Sequence, residues 1–275
     1  MKARTKVSVI MTVYNEEEHI KKSVTSVLNQ TYEDLELVIV NDGSNDRTQE
    51  ILENEFNDRR IKIFNQENKG RVKALNQAVK LSTGEYIAIL DADDYCLPER
   101  LRKQVEFLDR NPDVALVGTA YYRYDEIRRE KWIRKYPTKD EKIRKEMSKY
   151  IPLAHSSVMI RKFCLEEVGC YNEEFDTLQD MELFIRIAKK FKLANLDEPL
   201  IIRNIRSDSF FHRSFKQSDR NRLLVRLNLK AIKELSLPIR YYFFPLGRIV
   251  YFRLPNNFKR MVRRIFSSID EENIK

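Results

Sequence analysis

Residues 85–100 read EYIAILDADDYCLPER, a mostly apolar run that meets Asp91, Asp93 and Asp94 without a spacer. A short apolar run that ends in polar residues predicts a buried strand, with the acids at its carboxyl end. Side chains alternate along a strand, so Asp91 and Asp93 share a face while Ala92 turns into packing. Carboxylates held that close repel one another and need protons, a cationic side chain or a metal. Residues 85–96 contain no Lys or Arg, which makes a hard divalent ion, Mn2+ or Mg2+, the economical partner; bound by few protein oxygens, such an ion keeps positions open for phosphate. A helix cap from Asp93 or Asp94 is the simpler alternative for this stretch taken alone, but one cap does not account for three acids.

The residues before this stretch repeat one unit. KVSVIMTVYN is a strand pattern, EEEHIKKSVTSVLNQ carries Ile20, Val24 and Val27 at helical spacing, and LELVIVNDGSND is a second strand with a polar end. A helix from about Asp46, the strand IKIFNQ and a helix opening after NKG lead back to residue 85. Such alternation predicts βαβ units, an α/β fold and a mainly parallel sheet flanked by helices. Ligands of open α/β sheets bind beyond the carboxyl ends of the strands, so the clusters TVYNEE, NDGSND and DADD are expected to form one site.

Beyond residue 97 the pattern becomes less regular. A helix over LPERLRKQVEFLDRNP precedes the strand VALVGTAYYRYD; a charged excursion then carries Trp132 and Tyr136, and KDEKIRKEMSK reads as helical. AHSSVMIRK predicts a strand. TLQDMELFIRIAKKF predicts an amphipathic helix with Met181, Phe184, Ile185 and Ala188 on one side. A further helix is expected over 215–235. The domain expectation is one unit over 1–235, its nucleotide-binding half at 1–96 and its acceptor half at 97–235, with an extension over 236–275.

Several clusters suggest chemistry. In VNDGSND, Gly43 permits a tight turn and Asp42 has acceptors for a base or ribose; a carboxylate accepts the imide hydrogen of uracil, a donor that the adenine ring lacks. The same residues also make an ordinary turn. Lys69, Arg71 and Lys73 surround a helix start suited to phosphate oxygens, or are solvated charges on an amphipathic helix. No glycine follows the first strand and no GxxxxGK[ST] occurs, so the dinucleotide and P-loop readings lose their main support.

The net charge is +9 and is unevenly distributed. Residues 240–266 hold seven Lys or Arg, eight aromatic residues and no acid. No apolar run reaches the roughly 20 residues needed to span a bilayer, and a cytoplasmic protein is expected. The basic aromatic stretch could lie on an anionic membrane surface, fold back on its own domain or form a homodimer; nucleic acid is not expected as a partner. Three scattered cysteines give neither a disulfide framework nor a zinc site.

Taken together and in order, VSVIMTVYNEE, VIVNDGSNDRT, NKGRVKALNQA and YIAILDADD resemble the inverting glycosyltransferases of family 2, which have the GT-A fold. The resemblance covers roughly residues 5–210. It implies that Thr12, Tyr14, Glu16 and Asp42 hold the nucleoside, that Lys69, Arg71, Asp91 and Ala92 complete the donor site, and that Asp93 binds the metal on the diphosphate. It also matches Asp180 in LQDMELFIRI to the catalytic base, with Gln179 where the family usually has a glutamate and Arg186 matching its usual arginine. His155 and Ser156 fall on the acceptor side, with Gln179 a further acceptor contact, and His212 lies where some relatives supply another metal contact. His155 and His212 can equally be packing residues, and Asp180 alone could be a helix cap. The implied reaction moves a sugar from a nucleoside diphosphate sugar, UDP-sugar first, to a glycan or lipid-linked acceptor. The alternatives are a nucleotide-sugar or glycan-binding protein without turnover and a nucleotidyltransferase, although the acidic TVYNEEE is a poor seat for triphosphate.

Overall fold

The computed structural model describes residues 6–125, 128–205 and 217–254. The first half runs β1 (Val7–Val13), α1 (Ile20–Leu28), β2 (Leu35–Asp42), α2 (Thr48–Asn54), β3 (Ile61–Gln66), α3 (Arg71–Leu81) and β4 (Tyr86–Ile89). After the acidic turn come β5 (Tyr95–Cys96), α4 (Arg100–Arg110), β6 (Val114–Asp125), β7 (Glu130–Arg134) and α5 (Asp140–Glu146). A 3-10 turn at His155–Ser157 leads to β8 (Met159–Arg161), α6 (Lys162–Val168), α7 (Gln179–Lys190) and β9 (Lys192–Ile205). The helix α8 (Gln217–Glu234), a 3-10 turn at Ile239–Tyr242 and α9 (Phe243–Arg253) follow.

One sheet in the order β3-β2-β1-β4-β8-β6-β9-β5 organises the chain, with β7 paired to β6 outside this path. The four strands from residues 7–89 are parallel, as their helical crossovers require. Beyond them the pairing is mixed. The three-residue β8 is wedged between β4 and β6 and runs against both, whereas β6 and β9 are parallel. The charged LDEP segment hides β9 in the sequence. Around Pro199 the pairing with β6 jumps register, and a bulge absorbs the proline that would break a regular ladder.

Both faces of the sheet are buried. Ile10, Val38, Val40, Ile87 and Ile89 pack with Val72 and Leu75 of α3 and Phe184 and Ile187 of α7. The alternate residues Val9, Met11, Leu37 and Ile39 pack with Val24 and Val27 of α1 and Leu101, Val105 and Leu108 of α4. Such two-sided burial explains why β1 and β2 are almost wholly apolar rather than alternating. In α7 the expected face is buried, and Leu183 and Ile187 are buried with it, so the helix is enclosed on most sides.

At the junction between the parallel and mixed regions lies Arg100, which is fully buried. It donates to the carbonyls of Ile89 at 2.8 Å and Val158 at 3.3 Å, and its Nε donates to Gln104 Oε1 at 3.1 Å. Gln104 in turn donates to the carbonyls of Val117 and Ser157. One turn of α4 thus stitches together the ends of β4, β6 and the segment before β8.

Candidate active site

The loops after β1 and β2 are locked to each other at the carboxyl edge of the parallel strands. Asn15, in the left-handed region at φ 55°, accepts from the Asn45 amide at 2.8 Å, and its own amide donates to Ser44 Oγ at 3.0 Å. The Glu16 amide donates to Thr48 Oγ1, and the Glu17 amide to Asp46. Thr12, Tyr14 and Glu16, expected to hold the nucleoside, are half-buried on this rim.

Asp42 differs from the sequence expectation. Its carboxylate is buried and accepts from Gln66 Nε2 at 2.7 Å and from the amides of Lys69 and Gly70 at 2.9 Å each. Its acceptors are therefore engaged in folding residues 66–70 against the end of β2. Gly43 (φ 75°) allows this closure, because a Cβ there would stand 2.7 Å from the Asn68 amide nitrogen. Lys69 itself is exposed and Gly70 precedes α3.

The acidic turn holds its carboxylates together. Asp91, Asp93 and Asp94 each offer an oxygen within 4.8 Å of the others. The expectation that this charge lacks basic partners is corrected by residues remote in sequence. Arg71 Nη2 donates to Asp91 Oδ1 at 2.5 Å, and Arg203 Nε donates to Asp94 Oδ2 at 3.2 Å. Asn204 donates to Asp94 through its amide and to the Asp93 carbonyl through Nδ2. Ala92 is buried, as its place in the alternation predicts.

Burial raises the Asp91 carboxyl, but the Arg71 guanidinium and the neighbouring His155 outweigh it and hold Asp91 well below the usual carboxylate range. Asp93 is pushed up by burial and by the adjacent Asp91 charge. Burial also pushes Asp94 up to about 8, with Arg203 opposing and Asp93 and Asp91 reinforcing the shift. The three acids cannot all carry charge cheaply unless a further cation joins them. All donors are hard oxygens, and among the described residues no other residue donates a hydrogen bond to the Asp93 carboxylate. This set suits Mg2+ or Mn2+.

Asp180 comes to the same place from α7, whose first turn follows Leu178 in the left-handed region at φ 59°. Its Oδ1 accepts from the Met181 amide at 2.8 Å. At Arg71, burial opposes the charged form, while Asp91, Asp93 and Asp180 together favour it and raise its pKa. One guanidinium thus lies in the field of the acidic turn and of Asp180. Arg186 anchors the helix behind it by pairing with buried Glu182 and donating to the carbonyls of Val168, Gly169 and Cys170 at the end of α6. Lys230 of α8 completes the Glu182 pair.

Ser156 and His155, expected on the acceptor side, lie next to the acidic turn. Ser156 is completely buried, and its hydroxyl accepts from the Asp91 amide at 3.1 Å. His155 is buried as well, with Nε2 2.9 Å from the Tyr171 hydroxyl and Nδ1 3.3 Å from Arg71 and 3.6 Å from Asp91. Gln179 is also buried. Ser156 thus braces the acidic turn, and His155 touches both Asp91 and Arg71. His212 lies outside the described residues. Arg203, Asn204 and Tyr171 went unread because the strand that carries the first two was itself unread, and because nothing local marks Tyr171.

The sequence matches the model for "Glycosyl transferase family 2" over residues 8–169. EpsE of Bacillus subtilis, whose name assigns it to the glycosyltransferases, is 33% identical over 252 residues, covering 89% of this chain and 88% of its own. An uncharacterised glycosyltransferase of Methanocaldococcus jannaschii is 38% identical over 221 residues, covering 77% of this chain and 75% of its own. Among solved structures, S. aureus TarS 1–349 in complex with UDP-GlcNAc superposes with a TM-score of 0.69 at 19% identity, covering 92% of this chain and 77% of its own. The mannosyltransferase PcManGT from Pyrobaculum calidifontis, in complex with GDP-Man and Mn2+, gives 0.62 at 17% identity and covers 97% of this chain and 81% of its own. At such identities the structural likeness shows the fold, which is GT-A. With the model match spanning more than half its length and relatives aligned over most of the rest, this chain belongs to glycosyltransferase family 2.

Proposed function

We propose that this glycosyltransferase moves a sugar, with inversion, from a nucleoside diphosphate donor, UDP-sugar first, to a hydroxyl of a glycan or lipid-linked acceptor. The observation that carries the proposal is the convergence of Asp91, Asp93 and Asp94 with Asp180 around Arg71. Asp180 takes the proton of the attacking hydroxyl while that oxygen bonds to the anomeric carbon and the bond to the diphosphate breaks. Asp93, with its carboxylate uncommitted to another residue, holds a divalent ion, which when bound stabilises negative charge on the leaving diphosphate. Asp91 faces the ribose and keeps Arg71 in place. Asp42 acts by holding residues 66–70 closed beside the nucleoside, with Thr12, Tyr14 and Glu16 on the opposite rim, and Lys69 adds charge toward phosphate. Turnover is favoured over a binding-only protein by the presence of both Asp93 and Asp180.

Calorimetric titration with UDP, GDP, dTDP and ADP, with and without Mn2+, tests the donor assignment. We expect Mn2+-dependent binding of UDP, its loss in Asp93→Ala, and its retention in Asp180→Asn with turnover lowered by roughly 10²- to 10⁴-fold. Ordinary turnover by Asp180→Asn would refute the base, and metal-independent binding by the wild type would refute the role of Asp93.

We further infer that α9 rests on an anionic membrane surface, which suits an acceptor held in a leaflet facing the cytoplasm. Among the described residues no helix is long and apolar enough to cross a membrane. Ile239, Phe243, Leu246 and Val250 recur at intervals of four, three and four and are all exposed, Ile239 at 86% and Phe243 at 75%. This apolar stripe is flanked by Arg240 and Arg253, and residues 240–266 contain no acid. Such a face has the composition of an interfacial helix.

A further inference from the structure

The hairpin of β6 and β7 carries a surface that the donor site does not use. β7 joins the sheet only through β6, and all five of its residues are exposed. Trp132 pairs with Arg123 on β6, and Arg123 pairs with Arg203 on β9. Residues opposite one another on adjacent strands project to the same face. Trp132, Arg123 and Arg203 therefore form one row, and Arg203 is the residue that reaches Asp94 from that face. With strands spaced about 4.8 Å apart, Trp132 stands about 10 Å along the sheet from Arg203.

The chemistry along this row is specific. Trp132 is 39% exposed, with the Arg123 guanidinium 5.3 Å from its ring. On the same face Arg134 lies 5.9 Å from the Tyr136 ring, and Arg203 lies 5.3 Å from the Tyr121 ring. Arg123 and Arg134 are exposed, and neither has a carboxylate partner among the described residues. A guanidinium stacked on a ring keeps its N-H edge available for bidentate bonds to an anion, and an exposed indole offers a flat face to the C-H surface of a pyranose. One exposed indole beside two guanidiniums without carboxylate partners matches a saccharide chain that carries acidic groups.

Resting on the proposed glycosyl transfer, we propose that this face binds the acceptor as an anionic glycan, with a sugar ring on Trp132 and its carboxylate or phosphate groups on Arg123 and Arg134. Continuity with Arg203 directs the end of such a chain toward the acidic turn, where its hydroxyl meets the donor.

Trp132 is the sole tryptophan of the chain, so its emission reports on this surface alone. Full-length protein is titrated with tetragalacturonate, with a phosphodiester-linked oligosaccharide and with neutral cellotetraose, following emission and protection from acrylamide quenching. We expect a saturable change with at least one anionic probe and a markedly weaker one with the neutral probe. The identity of the responding probe distinguishes carboxylate from phosphate. Arg123→Gln and Arg134→Gln should each weaken that binding about tenfold, the order expected for one charge-assisted hydrogen bond. No saturable change with either anionic probe, an equal response to the neutral one, or unaltered affinity in both arginine variants would overturn the proposal. Mn2+-dependent UDP binding, measured on the same preparations, must survive both arginine substitutions. Its absence in the wild type would count against the donor reading while leaving the tryptophan result to stand or fall separately.

Discussion

Glu36 is enclosed beneath β2, where it accepts from Ser8 Oγ at 2.6 Å, from the Thr83 amide and hydroxyl, and from Lys62, with Lys6 also in range at 3.2 Å. Burial alone raises its carboxyl, but the bonds from Lys62, Ser8 and Thr83 outweigh it and bring Glu36 well below the usual range. A depressed carboxyl stabilises the folded state above its unfolded value near 4.3, and that contribution is lost as pH falls toward the folded value. Glu36→Gln should therefore cost roughly 2 kcal/mol at pH 7 and flatten the loss of stability below about pH 4, as read by thermal denaturation across pH. An unchanged acid slope would show that Glu36 does not carry it. The acids of the candidate site were readable at this scale, because Asp91, Asp93 and Asp94 fall within four residues and follow an unmistakable strand. Their partners were not: Arg71 and Arg203 are brought to them by pairing and packing that no local pattern encodes. Asp42 was found for its position but misread in its bonding, since the donors that occupy it belong to residues 66–70.

At the scale of elements, the residue that matters most on α4 has a charged side chain. Arg100 supplies donors to carbonyls at the ends of β4 and before β8. Replacing it by Met preserves much of the volume but strips the Ile89 carbonyl and Gln104 Oε1 of this donor, at 1–3 kcal/mol each for buried groups in general, while the Val158 carbonyl keeps the Ile89 amide at 3.0 Å. Arg100→Met is expected to lower stability by roughly 2–4 kcal/mol in urea denaturation and to weaken UDP binding, because Ile89 lies two residues before Asp91. Full stability in the variant would mean that the carbonyls find other donors. The helices α1, α3, α4 and α7 were legible because the apolar period survives in each. Strand β9 was not, because Asp197, Glu198 and Pro199 interrupt it at the bulge. A pattern of period two cannot register a strand whose pairing jumps in its middle.

For the whole molecule, the sheet's parallel region presents one carboxyl edge, and the mixed region folds β9 back to supply Arg203 and Asn204 to it. The stripe on α9 belongs at this scale, since it concerns how the molecule meets its surroundings. Replacing Phe243 and Val250 together by Glu should abolish sedimentation with vesicles containing anionic phosphatidylglycerol, leave UDP binding intact, and change nothing with neutral vesicles. Unchanged sedimentation would overturn the membrane reading, and a shift from dimer to monomer in the same variant would assign the stripe to a second copy instead. The attachment of β7 carries a different kind of consequence. Because that strand hangs from β6 alone and contributes no residue to the buried clusters on either face, it can be lengthened, shortened or exchanged without disturbing the ladder that supports the acids. Variation can accumulate there at little cost to folding, and a graft of this hairpin from one relative to another separates what the loop contributes from what the ladder contributes.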